Sequence, residues 1–396
     1  MTSDAAPVVI HDSTEPKSQH KNPIIIIPGC MGSKMEMKLE NFDKNHWWCS
    51  KNADWFLVWI NVEMFVPELV DCFKDYVSMT WNGKYPQNKP GVSSRVIPGI
   101  EGIEFLQPTL KFIEGYFDKM VKKFTENDYQ ESKDLFALPY DFRVGAQNLT
   151  NWFIELKQTI QLAYETNGQQ KVTILTHSMG GKIFTYFMSQ SQQTKEWKDK
   201  YIQQWIPIAP ALGGSFEPLE TTIWGLDFGD PLVSKLKMRE FQRTFTMMYY
   251  MYPFEDLDWE EPVIITDDRN YYARKEDYLD MMTELQFPKY SSEMLERQWE
   301  EMVVIDSPMV PTYIIFGNGT DTNCQAKFNG PITSDDYTIE TCSGDGTVVE
   351  KNVLAMCNNW KKDHYVSCEG YEDKEHVSMV EDDEVINRVW SLLNNY

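Results

Sequence analysis

The chain has 396 residues, 42% of them hydrophobic and 14% aromatic, enough for one large α/β domain with insertions or for two domains, and too apolar for a disordered segment. Its formal net charge of −23 argues against nucleic acid as a partner, because phosphates would be repelled, and it opposes docking on an anionic bilayer at neutral pH. No run approaches the roughly 18 to 20 consecutive apolar residues that span a bilayer, so the sequence reads as soluble or peripheral.

Residues 1–21 are polar, carry charges of both signs and lack an apolar core, so they read as a flexible lead-in rather than a secretory signal, which leaves the cytosol open. Asn22 to Ser33 holds four consecutive isoleucines and then Pro28, Gly29, Cys30, Met31 and Gly32. The isoleucines suit a strand buried on both faces of a mainly parallel sheet, and the turn after it can present the N–H of Cys30 or Met31 to a developing oxyanion. Trp47 and Trp48 immediately precede Cys49, and Trp55, Trp59 and Phe65 crowd the segment between Cys49 and Cys72. Those aromatics suit either a lipid interface or the core. If joined, the two cysteines would stabilise that loop by ~3 kcal/mol.

Residues 80–108 are rich in Gly, Pro and Asn and read as a long connection. Helical spacing follows at Phe112–Phe124, then a strand and turn at Asp134–Val144 and an amphipathic helix at Leu149–Tyr164. This alternation predicts a parallel sheet with crossover helices. Val172 to Met188 reads strand, tight turn, helix, with Thr176, His177, Ser178, Met179 and Gly180 as a variant of the G-x-S-x-G nucleophile elbow. Such a turn lifts the Ser178 hydroxyl clear of the sheet and aims the Met179 N–H at an incoming carbonyl oxygen. Strand character returns at Trp205–Ala209 and lapses from Phe216 to about Met309, a stretch that reads as a cap inserted between sheet strands. It resumes at Val310–Phe316, with Lys361–Val366 as the last strand and Val385–Leu393 as the closing helix.

Asp345, on a tight turn between Gly344 and Gly346, is the candidate acid, with Asp321 and Asp336 as rivals. Of the six histidines, His11 and His20 fall in the lead-in, His46 by the aromatic loop, His177 in the elbow and His364 in a predicted strand. His376 remains, and the order Ser178, Asp345, His376 is that of α/β-hydrolases. The seven cysteines, an odd number, show no metal-ligand spacing.

From about Asn22 onward the chain resembles the lecithin:cholesterol acyltransferase family, which includes lysosomal phospholipases A that also make acylceramide. The resemblance rests on IPGCMGSKMEMKLE, WCSKNADWFLVWINVEMFVPELVDCF, LPYDFR at Leu138–Arg143, THSMGGK around Ser178, PLVSKLKMREFQR at 231–243 and SGDGTV at 343–348. It implies an α/β-hydrolase domain over 22–396, with a Cys49–Cys72 bridge around a membrane-engaging region at 45–80 and a cap at 215–309. It also implies a lid between Gly214 and Arg243. By the same likeness Ser178, Asp345 and His376 form the triad, the Cys30 and Met179 amides form the oxyanion hole, and Trp47, Trp48, Trp55, Trp59 and Phe65 meet lipid. The implied reaction takes an acyl chain from a glycerophospholipid onto serine and passes it to water or to a lipid alcohol such as a sterol or ceramide. It needs no metal or organic cofactor. The implied setting is a monomer at a phospholipid membrane or lipoprotein-like surface, lysosomal or secreted. A serine esterase for soluble esters and a catalytically silent lipid-binding relative are the alternatives. Relatives have a cysteine where this chain has Ile314 or a neighbour, which leaves the partner of Cys357 open among Cys324, Cys342 and Cys368.

Overall fold

The four isoleucines form the strand Ile24–Ile27, fully buried, as a β-branched run flanked on both sides by strands must be. It pairs in parallel with Leu135–Ala137 on one side and Val172–His177 on the other. Beyond Val172–His177 lie Ile202–Ile208, Thr312–Asn318 and Val366–Glu372, all parallel, completing a six-stranded sheet. Parallel neighbours need crossovers, and the helices Thr150–Thr166, Met179–Ser189 and Glu350–Trp360 are among those that supply them, while Asp383–Asn394 closes the chain after the last strand. The computed structural model describes residues 21–66, 68–105, 115–227, 234–255 and 261–394. The lead-in therefore lies almost wholly outside the described residues, as does the middle of the 214–243 segment.

Two additions sit on this sheet. The first is a three-stranded antiparallel sheet of Ala53–Trp59, Met35–Leu39 and Val92–Val96, followed in chain order from Trp59 by the helix Val70–Val77. The stretch expected to be a plain connection thus contributes Val92–Val96, and Met79–Trp81 with Pro86–Asn88 forms a further antiparallel pair. Gly83, Pro90 and Gly91 occupy the turns between these short strands, which dilutes any alternating pattern. The second addition contains the helices Phe216–Trp224, Lys235–Gln242, Thr246–Tyr250, Lys275–Glu284 and Lys289–Met302. Within it Ile264–Ile265 pairs with Thr320–Phe328, which forms a hairpin with Tyr337–Gly344. The insertion therefore shares a sheet with the hairpin that delivers Asp345. The last central strand is Val366–Glu372, so His364 lies in the turn before it rather than within it.

Disulfides join Cys49 to Cys72, Cys324 to Cys342 and Cys357 to Cys368, and leave Cys30 as a free thiol. The pairing left open for Cys357 falls to Cys368, on the strand beside Ile314. Among the described residues no helix is long and apolar enough to cross a membrane.

Candidate active site

Ser178 follows the fully buried strand Val172–His177 and immediately precedes the helix Met179–Ser189, with a backbone φ of 52° and ψ of −127°. That conformation is strained for any residue with a Cβ, so the surroundings must hold it in place. They do so by close packing. A Cβ on Gly29 would meet Ser178 Cβ at 2.7 Å, and one on Gly180 would meet the Pro28 carbonyl oxygen at 2.4 Å.

Two other loops at the carboxyl ends of the central strands converge on this serine. His376 follows Val366–Glu372, and Asp345 follows the hairpin that begins after Thr312–Asn318. Ser178 Oγ stands 2.8 Å from His376 Nε2, and His376 Nδ1 stands 2.8 Å from Asp345 Oδ2. The other carboxylate oxygen of Asp345 accepts the N–H groups of Thr347 and Val348 at 3.0 and 2.7 Å. The His376 N–H donates to the Asp345 carbonyl at 2.8 Å. A carboxylate can only accept from Nδ1, so Nε2 is left to take the serine proton. The rivals Asp321 and Asp336 are exposed, whereas Asp345 is buried. Burial works against charging His376, but the charge and hydrogen bond of Asp345, aided by the Glu217 carboxylate, outweigh it and raise its pKa above the usual histidine value.

His177 carries a second network. The Gly29 N–H donates to Tyr116 Oη at 2.7 Å, so the tyrosine proton goes to His177 Nδ1 at 2.6 Å, and His177 Nε2–H donates to the His376 carbonyl at 3.0 Å. His177 is thereby held neutral, with burial as the main cause and the neighbouring His376 adding to it, and its pKa falls to about 3. Tyr116 and His177 tie the elbow and the Gly29 turn to the histidine loop. Neither stood out in the sequence as a site residue, because a contact across 61 positions leaves no local pattern.

Above Ser178 lies a cavity of about 360 Å³ whose wall includes Cys30, Met31, Trp59, Glu217, Leu226 and Met247. Its exposed lining is mostly apolar. Burial pushes the Cys30 thiol well above its usual range, with the Glu217 carboxylate adding to the effect. A narrower void shares Met31, Trp59, Leu226 and Met247 with it and continues to Phe73, Phe142 and Phe241.

The structure divides the five aromatic residues expected at lipid. Trp59 and Phe65 are buried, 5% and 8% exposed. Trp59 lines the catalytic cavity and donates its indole N–H to the Met31 carbonyl at 2.8 Å, and Phe65 packs on Trp59 and Phe73. These two are corrected from surface contacts to interior residues: Trp59 at the end of its strand and Phe65 in the short helical turn Val62–Phe65 both pack against Phe73 of the helix Val70–Val77. Trp55 is half-buried beneath the Arg95 guanidinium. Trp47 and Trp48 are exposed, 83% and 43%, as are Val66 and Leu69 nearby in sequence. No group of His, Cys, Asp and Glu side chains able to hold a metal occurs among the described residues.

A strained serine at a strand-to-helix turn, with histidine and aspartate delivered to it from the carboxyl ends of a mainly parallel sheet, defines an α/β-hydrolase. A chain in the crystal structure of the Tle4-Tli4 complex superposes with a TM-score of 0.52 at 12% identity, over 94% of this chain and 97% of that one, which shows the shared fold. Residues 55–305 match the family model for lecithin:cholesterol acyltransferase. The chain is 30% identical to phosphatidylcholine-sterol acyltransferase of Gallus gallus, over 98% of this chain and 92% of that protein. It is 29% identical to lysosomal phospholipase A and acyltransferase of Mus musculus, over 94% and 90%. The chain belongs to the lecithin:cholesterol acyltransferase family.

Proposed function

We propose that the chain is a serine phospholipase and O-acyltransferase, and that Ser178, His376 and Asp345 carry the reaction. The observation that carries this reading is the unbroken hydrogen-bonded series from Ser178 Oγ through His376 to Asp345 at the floor of an apolar cavity. Its relatives' names, phosphatidylcholine-sterol acyltransferase and lysosomal phospholipase A and acyltransferase, supply the substrate class.

Ser178 Oγ attacks the ester carbonyl of a glycerophospholipid while His376 Nε2 takes its proton, and Asp345 stabilises the imidazolium. The amides of Cys30 and Met179 bind the oxyanion. Cys30 lines the cavity and Met179 opens the elbow helix, and losing one such donor costs roughly 3 to 4 kcal/mol of transition-state stabilisation. The tetrahedral intermediate collapses, the acyl C–O bond breaks, and the lysophospholipid alkoxide leaves with the proton from His376. Water or a lipid alcohol then enters, gives its proton to His376, and attacks the acyl-enzyme. Ser178 leaves with that proton, and the product is a fatty acid or a new ester. The cavity above Ser178, about 360 Å³ and mostly apolar, is where the acyl chain is accommodated.

The exposed Trp47, Trp48, Val66 and Leu69 provide the contact with a lipid surface, and the enzyme works as a monomer. The region 45–80 then supplies the surface contact and, through Trp59, part of the cavity wall, to which the insertion 215–309 adds Glu217, Leu226 and Met247. The test is incubation with phosphatidylcholine vesicles containing cholesterol and a ceramide, beside a Ser178→Ala control. Release of fatty acid or formation of an acylated acceptor by the unaltered protein alone supports the reading. Equal activity in both proteins rules out Ser178 as the nucleophile, and no activity in either rules out this substrate class.

A further inference from the structure

A cleft of about 1070 Å³ lies apart from the catalytic cavity and shares no lining residue with it. The helices Thr150–Thr166 and Lys289–Met302 line it, together with the end of Met179–Ser189, the turn that follows, and the strand Pro86–Asn88. Amides dominate its walls: nine of the lining side chains are Gln or Asn, against five that are charged. Of those five, Arg143 and Asp141 neutralise each other across 2.6 Å, and the Lys157 ammonium is tied to the Gln192 carbonyl at 3.1 Å. Burial pushes the Glu301 carboxyl up to about 7 beside Arg297. The half-buried rings of Phe153 and Tyr186 line the same cleft, with centroids 5.7 Å apart and planes 33° from parallel.

Several of these amides are only partly satisfied. The side-chain oxygens of Gln147, Asn148 and Gln193 are buried and have no hydrogen-bond partner among the described residues. Gln193 is 7% exposed, so bulk water does not make up the deficit. Gln147 gives its amide N–H to the Arg297 carbonyl at 3.0 Å, and Gln190 gives its own to the Tyr186 carbonyl at 3.3 Å, which holds both at the wall. The terminal torsion of a glutamine is soft, so a ligand hydroxyl can draw the Gln193 oxygen toward it.

We infer that this cleft binds a neutral oligosaccharide. Three acceptors without donors call for a ligand rich in O–H groups. A side-chain amide, with an acceptor oxygen beside two N–H donors, matches the neighbouring hydroxyls of a sugar, each of which both donates and accepts. The apolar C–H face of the same ring packs on Phe153 and Tyr186. The volume is at the upper end of small-ligand clefts and admits more than one ring. A peptide backbone fits less well, because it offers one N–H and one carbonyl per residue. An anionic ligand would have to approach a chain of net charge −23.

The experiment is calorimetric titration of the full chain with maltotriose, mannotriose and triacetylchitotriose. A sulfated heparin disaccharide and acetyl-tetra-alanine amide serve as controls. At least one neutral trisaccharide is expected to bind with a Kd of about 1 mM or lower, and both controls about tenfold more weakly. Gln193→Leu and Gln158→Ala should each weaken the sugar by about tenfold. Gln158 is exposed, so its replacement keeps the test free of folding defects. Turnover of p-nitrophenyl butyrate, which reports on Ser178, should be unchanged in both variants. Phosphatidylcholine vesicles with and without lactosylceramide separate the sources of the sugar. Extra co-sedimentation with the glycolipid, competed by free trisaccharide, assigns a lipid-borne glycan, whereas binding of free sugar without it assigns a soluble or protein-borne one. No binding of any trisaccharide and no extra co-sedimentation, equal affinity for a control, or an affinity untouched in both variants overturns the sugar site and leaves the phospholipase reading intact.

Discussion

At the scale of single residues, the site depends on two histidines kept in opposite states. His376 is pushed toward its charged form by Asp345 and Glu217, while His177, locked between Tyr116 and the His376 carbonyl, is kept neutral by burial. A general base must be neutral to accept the Ser178 proton. A raised pKa therefore means that activity is lost as pH falls through a value above the usual 6.5 for histidine, and kcat/KM on a soluble ester should be higher at pH 7.5 than at pH 5. Besides Asp345, the charged or titratable groups acting on His376 are Glu217 and His177. Glu217→Gln removes a carboxylate that favours the imidazolium, so the acid limb of the pH profile should move to lower pH; an unmoved limb would refute that role. Tyr116→Phe strips the partners from the Gly29 N–H and His177 Nδ1. It should lower stability by about 1–3 kcal/mol. It should also cut kcat roughly 10- to 100-fold, because the histidine loop is no longer held in register. A variant that loses stability with kcat unchanged would make Tyr116 a purely structural residue.

At the scale of elements, what could be read from the sequence was what local pattern encodes. The isoleucine strand, the elbow at Ser178, the helix at Thr150–Thr166 and the closing helix each have a run or a period that a few residues reveal. The hairpin Thr320–Phe328 with Tyr337–Gly344 did not stand out, since its outer strand is largely exposed and lacks an apolar stripe. The same limit applies to the aromatic region. Composition placed five aromatics together, but only tertiary packing turned Trp59 and Phe65 inward and left Trp47 and Trp48 in solvent. That division makes a prediction. Replacing Trp47 and Trp48 with polar residues should weaken binding to zwitterionic vesicles, measured by co-sedimentation, with much less effect on hydrolysis of a monomeric ester. Comparable losses in both assays would contradict a surface role.

At the scale of the whole molecule, the sheet brings together residues 198 positions apart, Ser178 and His376, and adds Asp345 from a hairpin shared with the cap. The order of the three residues was readable because chain order survives folding. The wall of the catalytic cavity, to which Glu217, Leu226 and Thr347 contribute, was not, because no spacing links 217 to 347. The net charge of −23 disfavours an anionic lipid surface. The central claim is that Ser178 carries the acyl group between donor and acceptor. Rapid mixing with phosphatidylcholine vesicles, acid quenching and mass spectrometry of the digested protein test this directly. One acyl group should appear on the peptide containing Ser178 and be absent from Ser178→Ala. An acyl adduct on another residue, or fatty acid release that survives in Ser178→Ala, would contradict the account.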